Sequence, residues 1–351
     1  MSVWWKQQSA VTLALSVAMA GVTAAAMTRP QTPSDFKPGR RVLLDAHNAY
    51  PESGRWTDRI ERALSTGQPL AIEQDLYWRR DSLTGSYAIV VAHDSDAING
   101  APTLEAYFFD RIRPLMERAL RDNRRSTWPL VVLNLDFKSN ERSLLDAVWA
   151  LLGKYERWLT TAPRTLTPSS PAELTVGPML VLAGADTAQR VRFHDMVPVG
   201  NRLRAFGSIA VPSPKGSTRE ARASVFATMR SDLLIKPRVG NYERWVNLPW
   251  GAVEAGGPTK ADDWTRRDSV RLRALVNRAH SQGLWIRYYT LDGFTDETDR
   301  GYTASYNFGS AGAAQTRWRA AIQAGVDFLA TDQYEDFVHQ RAALQGKLRT
   351  K

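Results

Sequence analysis

The chain has 351 residues, of which 43% are hydrophobic, a formal charge of +10 and no cysteine. That length holds one large domain or two modest ones with a sizeable core, and the absence of thiols excludes disulfides, thiolate metal sites, a cysteine nucleophile and a lipid-bearing cysteine. The basic balance favours anionic partners. The arginines, however, are dispersed over helical patterns such as RALRDNRR and DWTRRDSVRLR, so no nucleic-acid-binding arm is expected.

Residues 1–26 read as a secretory signal, with one early lysine (Lys6), an uncharged apolar stretch and the small-residue ending Ala24-Ala25-Ala26. The alternative is a retained anchor, but the run from Ala10 to Met27 is alanine-rich, barely long enough to span a bilayer and followed by no stop-transfer pattern. Removing the signal takes away Lys6 and lowers the charge from +10 to +9. The expectation is an exported monomer, periplasmic or secreted. A polar linker over 27–40 leads into a single domain over 41–345.

Within that domain short apolar runs alternate with amphipathic helical patterns. The runs are RVLLDAH, PLAIEQDLYW, YAIVVAHD, PLVVLNLDF, PMLVLAG, LRAFGSIAV, DLLIKP, LWIRYYTLD and VDFLATD, and the helical stretches include TDRIERALSTG, ERSLLDAVWALLGKYERWL and DSVRLRALVNRAHSQG. Several helical stretches end on glycine, as helix C-termini do. Strand–helix alternation on this scale implies a parallel sheet covered on both faces, and eight units close a TIM-type (β/α)8 barrel. An open doubly wound sheet is the competitor, but no glycine-rich turn follows the first run. The stretch TAPRTLTPSSPAELTVGP reads as a long surface loop, and most of the twelve tryptophans read as core.

Side chains two apart on a strand face the same way. Glu73 and Asp75 therefore share a face, as do Asn134, Asp136 and Lys138, and Asp45 shares one with His47. Each polar set ends its run, where a barrel builds its active site. Carboxylates gathered from two strands repel unless a cation sits between them, and an oxygen-rich set suits one divalent Ca²⁺ or Mg²⁺ better than zinc. Glu73, Asp75 and Asp136 are the candidate ligands, with Asn48 offering a carbonyl oxygen. His47 and His93 follow strand-like runs and suit proton transfer; His194, His280 and His339 lie in helical patterns. Lys138 adds a positive charge, and the whole set suits a phosphodiester. Each piece alone has a plainer reading: a structural histidine, an ion pair in Glu-x-Asp, or Asp136 paired with Lys138.

In order along residues 41–337, AHNAY, AIEQDLYW, IVVAHD with PTLEAY, LNLDFK, GLWIRYYTLDG and AGVDFLATD resemble the superfamily of phosphatidylinositol-specific phospholipase C and glycerophosphodiester phosphodiesterase barrels. The resemblance implies that His47 and His93 are the two catalytic histidines, that Asn48 matches a calcium-ligating asparagine of the phospholipase C branch, and that Glu73 and Asp75 match the metal-binding pair. Asp136 stands where the family more often has glutamate. Asn48 and Ala49 replace the arginine and glycine usual after the first histidine in the glycerophosphodiesterase branch.

The expected activity is metal-dependent hydrolysis of a small-molecule or lipid phosphodiester, with peripheral contact to an anionic membrane surface. Arg287 and Lys236, on later strand-like runs, are expected to hold the phosphate, and Asp332 is read as a strand-end or capping aspartate. Two alternatives stand beside this: a secreted barrel that binds a phosphorylated or lipid ligand without turnover, and a barrel glycosidase. The latter is disfavoured because Glu73 and Asp75 on one strand do not straddle a glycosidic bond.

Overall fold

The structure is a computed structural model, and it describes residues 36–52, 54–80, 84–122, 129–166, 172–238, 240–294 and 304–349, with side chains to 345. The expected signal over 1–26 and the linker as far as 35 lie outside the described residues. Among the described residues no helix is long and apolar enough to cross a membrane.

Eight parallel strands form the barrel: β1 (Leu43–Ala46), β2 (Leu70–Arg80), β3 (Val131–Phe137), β4 (Met179–Ala183), β5 (Phe206–Ser208), β6 (Glu243–Pro249), β7 (Trp285–Tyr289) and β8 (Phe328–Thr331). Each pairs with the next, and β1 pairs with both β2 and β8, which closes the ring. The helices α1 (Arg59–Ser65), α2 (Asp110–Arg121), α3 (Arg142–Lys154), α4 (Thr187–Arg190), α5 (Arg219–Thr228), α6 (Arg266–Ser281), α7 (Ala311–Ala324) and α8 (Tyr334–Arg349) follow the strands in turn. Local chemistry sets their ends. Thr265 and Asp268 form a reciprocal capping box at α6, and Gly325 takes the left-handed conformation that closes α7.

Alternation along the strands divides the barrel's inside into two halves. Toward the N-terminal ends, Leu43, Ala71, Val132, Leu180, Phe206, Trp245, Trp285 and Phe328 make one apolar cluster, joined by Phe36, whose ring lies 5.0 Å from that of Trp285. Asp327 fastens the same end, accepting from Gly39 N at 2.7 Å, His280 Nε2 at 2.8 Å and Ile286 N at 2.9 Å. Toward the C-terminal ends the inward positions turn polar: Asp45, Glu73, Asp75, Asn134, Arg287 and Asp332 are all buried. The outward positions, such as Leu44, Ile72, Leu133, Val181 and Ile286, pack against the helices in the larger cluster.

Three expected strands come out differently. DLLIKP is not a barrel strand: Ser231–Leu234 is a short helical turn, and the sixth strand is ERWVNLP. YAIVV is a strand, but it runs antiparallel to the end of β2, pairing Leu76 with Val91 and Arg80 with Tyr87. It therefore forms a hairpin rising beyond the rim rather than a ninth unit. LRAFGSIAV contributes only Phe206–Ser208 to the barrel, its Leu203 pairing instead with Ala162 in a separate two-stranded sheet. The loop over 160–177 is anchored by Thr161 to Thr175 backbone bonds of 3.0 and 2.7 Å, and its residues 167–171 lie outside the described residues.

Candidate active site

The parallel register puts Glu73 beside Asn134 and Asp75 beside Asp136, so the C-terminal ends of β2 and β3 bring three carboxylates together. One oxygen from each of Glu73, Asp75 and Asp136 lies within 4.8 Å of the others. Glu73 and Asp75 are buried, while Asp136 is about half exposed. Lys138 Nζ reaches over the pair of aspartates, 2.7 Å from both Asp75 Oδ2 and Asp136 Oδ2. These two carboxylates raise the Lys138 ammonium pKa against the opposing pull of burial. The pairing of Asp136 with Lys138 and the clustering of carboxylates are thus both present.

Burial, with Glu73 and Asp136 beside it, pushes Asp75 up to about 7 despite Lys138. Tyr50 Oη contacts the same carboxylate, 2.7 Å from Asp75 Oδ2 and 2.6 Å from Asn48 Oδ1. A phenol has one proton to donate to two acceptors, and a protonated Asp75 supplies the second. Asn48 is held at a positive φ of 47°, its carbonyl accepts from Arg59 Nη1 and its N–H faces Glu73 Oε2 at 3.4 Å. Its side-chain oxygen stands one hydroxyl away from Asp75.

His47 extends β1 into the mouth. Its Nδ1 lies 3.1 Å from Asp332 Oδ1 and its Nε2 3.6 Å from Glu73 Oε2, with the Tyr306 ring edge-on at 5.4 Å. Burial pulls the imidazole pKa down, but Asp332, Glu73 and Asp292 more than offset it and raise His47 to about 9. Asp332 is therefore more than a strand-end aspartate. It orients the imidazole, and Asp292 Oδ1 in turn accepts from Asp332 N at 2.9 Å and Thr331 Oγ1 at 2.7 Å. Burial, and then Asp332, drive the Asp292 carboxyl well above its ordinary range.

His93 is placed at the same end of the barrel. Ala92 N donates to Asp75 O at 3.1 Å, so the histidine one residue on stands at the rim beside β2. Its ring is 40% exposed and pairs with Asp94 at 2.9 Å. One histidine is thus locked in the mouth and the other is open to solvent above it.

Of the three cations expected at the phosphate, Lys138 stands on the cluster, and the other two are not where the sequence suggested. Arg287 is 2% exposed beneath the cluster, where its guanidinium donates to Asp45 and Asn247 and lies 3.0 Å from Glu73 Oε1. It braces Glu73 from below through Nη2, which among the described residues has no hydrogen-bond partner. Lys236 is exposed in the connection leading to the N-terminal end of β6, on a cleft with Asp186, Arg190 and Glu243. It does not follow a strand and does not join the carboxylates. Sequence reasoning missed Tyr50, Asp292 and the role of Asp332; the inward alternation of Phe328, Ala330 and Asp332 was the available signal for the last of these.

The donor set fits a hard divalent cation: three carboxylates, the buried Asp75 Oδ1 without a partner among the described residues, and no nitrogen or sulfur donor among the clustered groups. Its internal competitors are the Lys138 ammonium on Asp75 and Asp136 and the Arg287 and His47 side chains on Glu73.

No protein-family model and no curated protein matches the sequence. Among solved structures the chain is similar to a glycerophosphoryl diester phosphodiesterase from Parabacteroides distasonis, at 13% identity over 90% of this chain and 89% of that one, with a TM-score of 0.41. It is also similar to a calcium-dependent phosphoinositol-specific phospholipase C from Pseudomonas sp., at 12% identity over 88% and 95%, with a TM-score of 0.45. HPPK-DHPS from Plasmodium falciparum gives the same TM-score of 0.45 at 9% identity, over 88% of this chain and 49% of that one. Two of these three are of the kinds the sequence motifs resemble. At such identities and TM-scores the neighbours carry nothing about chemistry, which rests on the side chains above.

Proposed function

We propose that the chain is a metal-dependent phosphoric diester hydrolase acting on a phospholipid or glycerophosphodiester-type substrate. The observation that carries this reading is the sharing of Glu73: one carboxylate belongs both to the oxygen cluster with Asp75 and Asp136 and to the charge pair with His47. This sharing supports a reading in which proton transfer and cation binding work side by side, as cleavage of a charged ester requires.

Glu73, Asp75 and Asp136 would hold the cation, with Asn48 as a further oxygen donor. When bound, the cation withdraws charge from a phosphate oxygen and makes an attacking hydroxyl more acidic. The rest falls to the chain's own groups. His47, oriented through Nδ1 by Asp332, accepts the proton of the attacking hydroxyl at Nε2. His93, on the open rim, gives a proton to the leaving oxygen and exchanges it with solvent. Lys138 supports the phosphoryl oxygens, and Tyr306 and Tyr289 wall the mouth. Arg287 and Lys236 are not assigned to the phosphate. The exported location, the monomeric state and contact of the basic surface with anionic membrane remain parts of this proposal.

The glycosidase alternative fits less well, because Asp75 is 1% exposed beneath Lys138 and Tyr50 and does not face Glu73 across an open cleft. A purely binding barrel leaves the His47–Asp332 pair without a use. The experiment is turnover of bis-nitrophenyl phosphate and of deacylated glycerophosphodiesters by the full chain with added Ca²⁺ or Mg²⁺, with products followed by phosphorus NMR. His47→Ala and His93→Ala should each lower turnover by about 100-fold or more. No turnover of any diester, or full activity in the double variant, would sink the assignment.

A further inference from the structure

We propose that a second ligand site, independent of the reading of the mouth, lies on the barrel's outer wall beside β4, β5 and the start of β6 and takes a small hydroxylated anion such as a polyol phosphate. The place is a cavity of 260 Å³ lined by Asp186, Arg190, Ser208, Lys236, Tyr242 and Glu243 among others. That is just under the roughly 300–1,000 Å³ of drug-sized sites and suits a compact molecule.

Two of its walls carry buried polar groups with nothing to bond. Tyr242 is 2% exposed and Glu243 7%, yet among the described residues Tyr242 Oη and Glu243 Oε2 have no hydrogen-bond partner. Orphaned buried groups are rare in folded proteins and call for one. Both side chains are fixed. The Tyr242 ring packs over Gly207, where an added Cβ would fall 2.2 Å from a ring carbon, and its other neighbour is the His194 ring at 5.8 Å. Glu243 spends its other oxygen on Arg190 Nη1 at 3.1 Å, which leaves the buried Oε2, beside Gly240, without a partner among the described residues.

The donors and acceptors define the ligand. Glu243 Oε2 only accepts, and Arg190 already neutralises that carboxylate, so the matching group is a hydroxyl rather than an ammonium. Tyr242 Oη takes a second hydroxyl. Lys236 is exposed and, among the described residues, paired with no carboxylate; since Arg190 is engaged by Glu243, Lys236 supplies the charge that an acidic group would meet. Asp186 does not oppose this directly, because its Oδ1 is turned to cap α4 at Ala188 N, 2.7 Å away. Hydroxyls toward Tyr242 and Glu243 with a phosphate toward Lys236 satisfy every one of these groups.

The test is calorimetric titration of the full chain with glycerol 3-phosphate, in chelator, up to concentrations on the order of 10 mM. The expected result is saturable binding of one equivalent, with glycerol alone and inorganic phosphate alone each about tenfold weaker or worse. Lys236→Ala and Tyr242→Phe should each weaken binding about fivefold or more, and His47→Ala should leave it unchanged. Tyr242→Phe removes only an unpartnered hydroxyl, so its melting temperature without ligand should equal or exceed that of the parent, and only the ligand-induced rise should shrink. Absence of saturable binding overturns the ligand class. Binding lost in His47→Ala, or untouched by both outer-wall variants, overturns the location. Equal affinity for inorganic phosphate overturns the hydroxyl half.

Discussion

Asp332→Asn is expected to collapse the basicity of His47. The imidazole rises from 6.5 to about 9 although burial opposes it, so the facing carboxylates together supply more than the whole rise of about 2.5. Asp332 is the largest of three such contributors and must carry at least a third of it, which makes a fall of about 1 pKa unit the minimum. The upper limit follows from a unit charge pair 3.1 Å apart, worth about 5 kcal/mol at an effective dielectric of 20, or about 4 pKa units at 1.36 kcal/mol each. The sign for stability follows. A histidine raised in the folded state contributes stability fully present below its unfolded value near 6.5 and lost as pH rises through about 9. The variant should therefore lose stability mainly below that window, with a flatter profile above it. The assay is NMR titration of the His47 Cε1–H in chelator, for parent and variant. A His47 that still titrates near 9 in Asp332→Asn would refute the assignment of its charge to this partner.

Three further outcomes are expected. Asp75, whose carboxyl is raised from 3.8 to about 7, makes the metal-free fold lose stability as pH rises from about 4 through 7; Ca²⁺ should thus raise the melting temperature more at pH 8 than at pH 5, and an equal rise at both would count against the cluster as its site. Lys138→Met removes the ammonium that competes for Asp75 and Asp136, so calorimetry should show divalent affinity rising by about tenfold, equivalent to about 1.4 kcal/mol, while weaker binding would mean the lysine assists the site. Arg287→Met leaves Asp45 and Glu73 buried without their cation and should lower unfolding free energy by about 3–5 kcal/mol in urea, whereas a loss under about 1 kcal/mol would show that Arg287 does not brace Glu73.

What the sequence disclosed and what it hid divide along sequence separation. The Glu73–Asp75 and Asp136–Lys138 faces follow from strand alternation within a few residues, and the parallel register that joins them follows from barrel closure. The sixth strand hid because ERWVNLP is not a continuous apolar run: the register shifts opposite Gly207 and Ser208, and Arg244 is buried across the Phe206 ring with its guanidinium on Asn241. DLLIKP offered a better apolar pattern, but its first three residues join Ser231 in a short helical turn, Ser231–Leu234. The role of Asp332 depends on a partner 285 residues away, and that of Arg287 on one 242 residues away. No local period encodes such pairs.

Those long-range pairs also explain why the upper barrel tolerates so much buried acid. Each cation bridges two carboxylates: Arg287 spans Asp45 and Glu73, His47 spans Glu73 and Asp332, and Lys138 spans Asp75 and Asp136. Even so, among the described residues Asp45 Oδ1, Asp75 Oδ1, Asp292 Oδ2 and Asp332 Oδ2 have no partner, so positive charge is in deficit and burial raises the carboxyls of Asp75 and Asp292. Glu73 is the one carboxylate held by two of the bridges. Any divalent ion that draws on its charge weakens the hold on the His47 proton while leaving the Asp332 contact in place. In the proposed function, cation binding and proton release at His47 would be linked through this single carboxylate. The imidazole, held by Asp332 and raised to about 9 without a cation, would there become a proton acceptor once a divalent ion drew on Glu73.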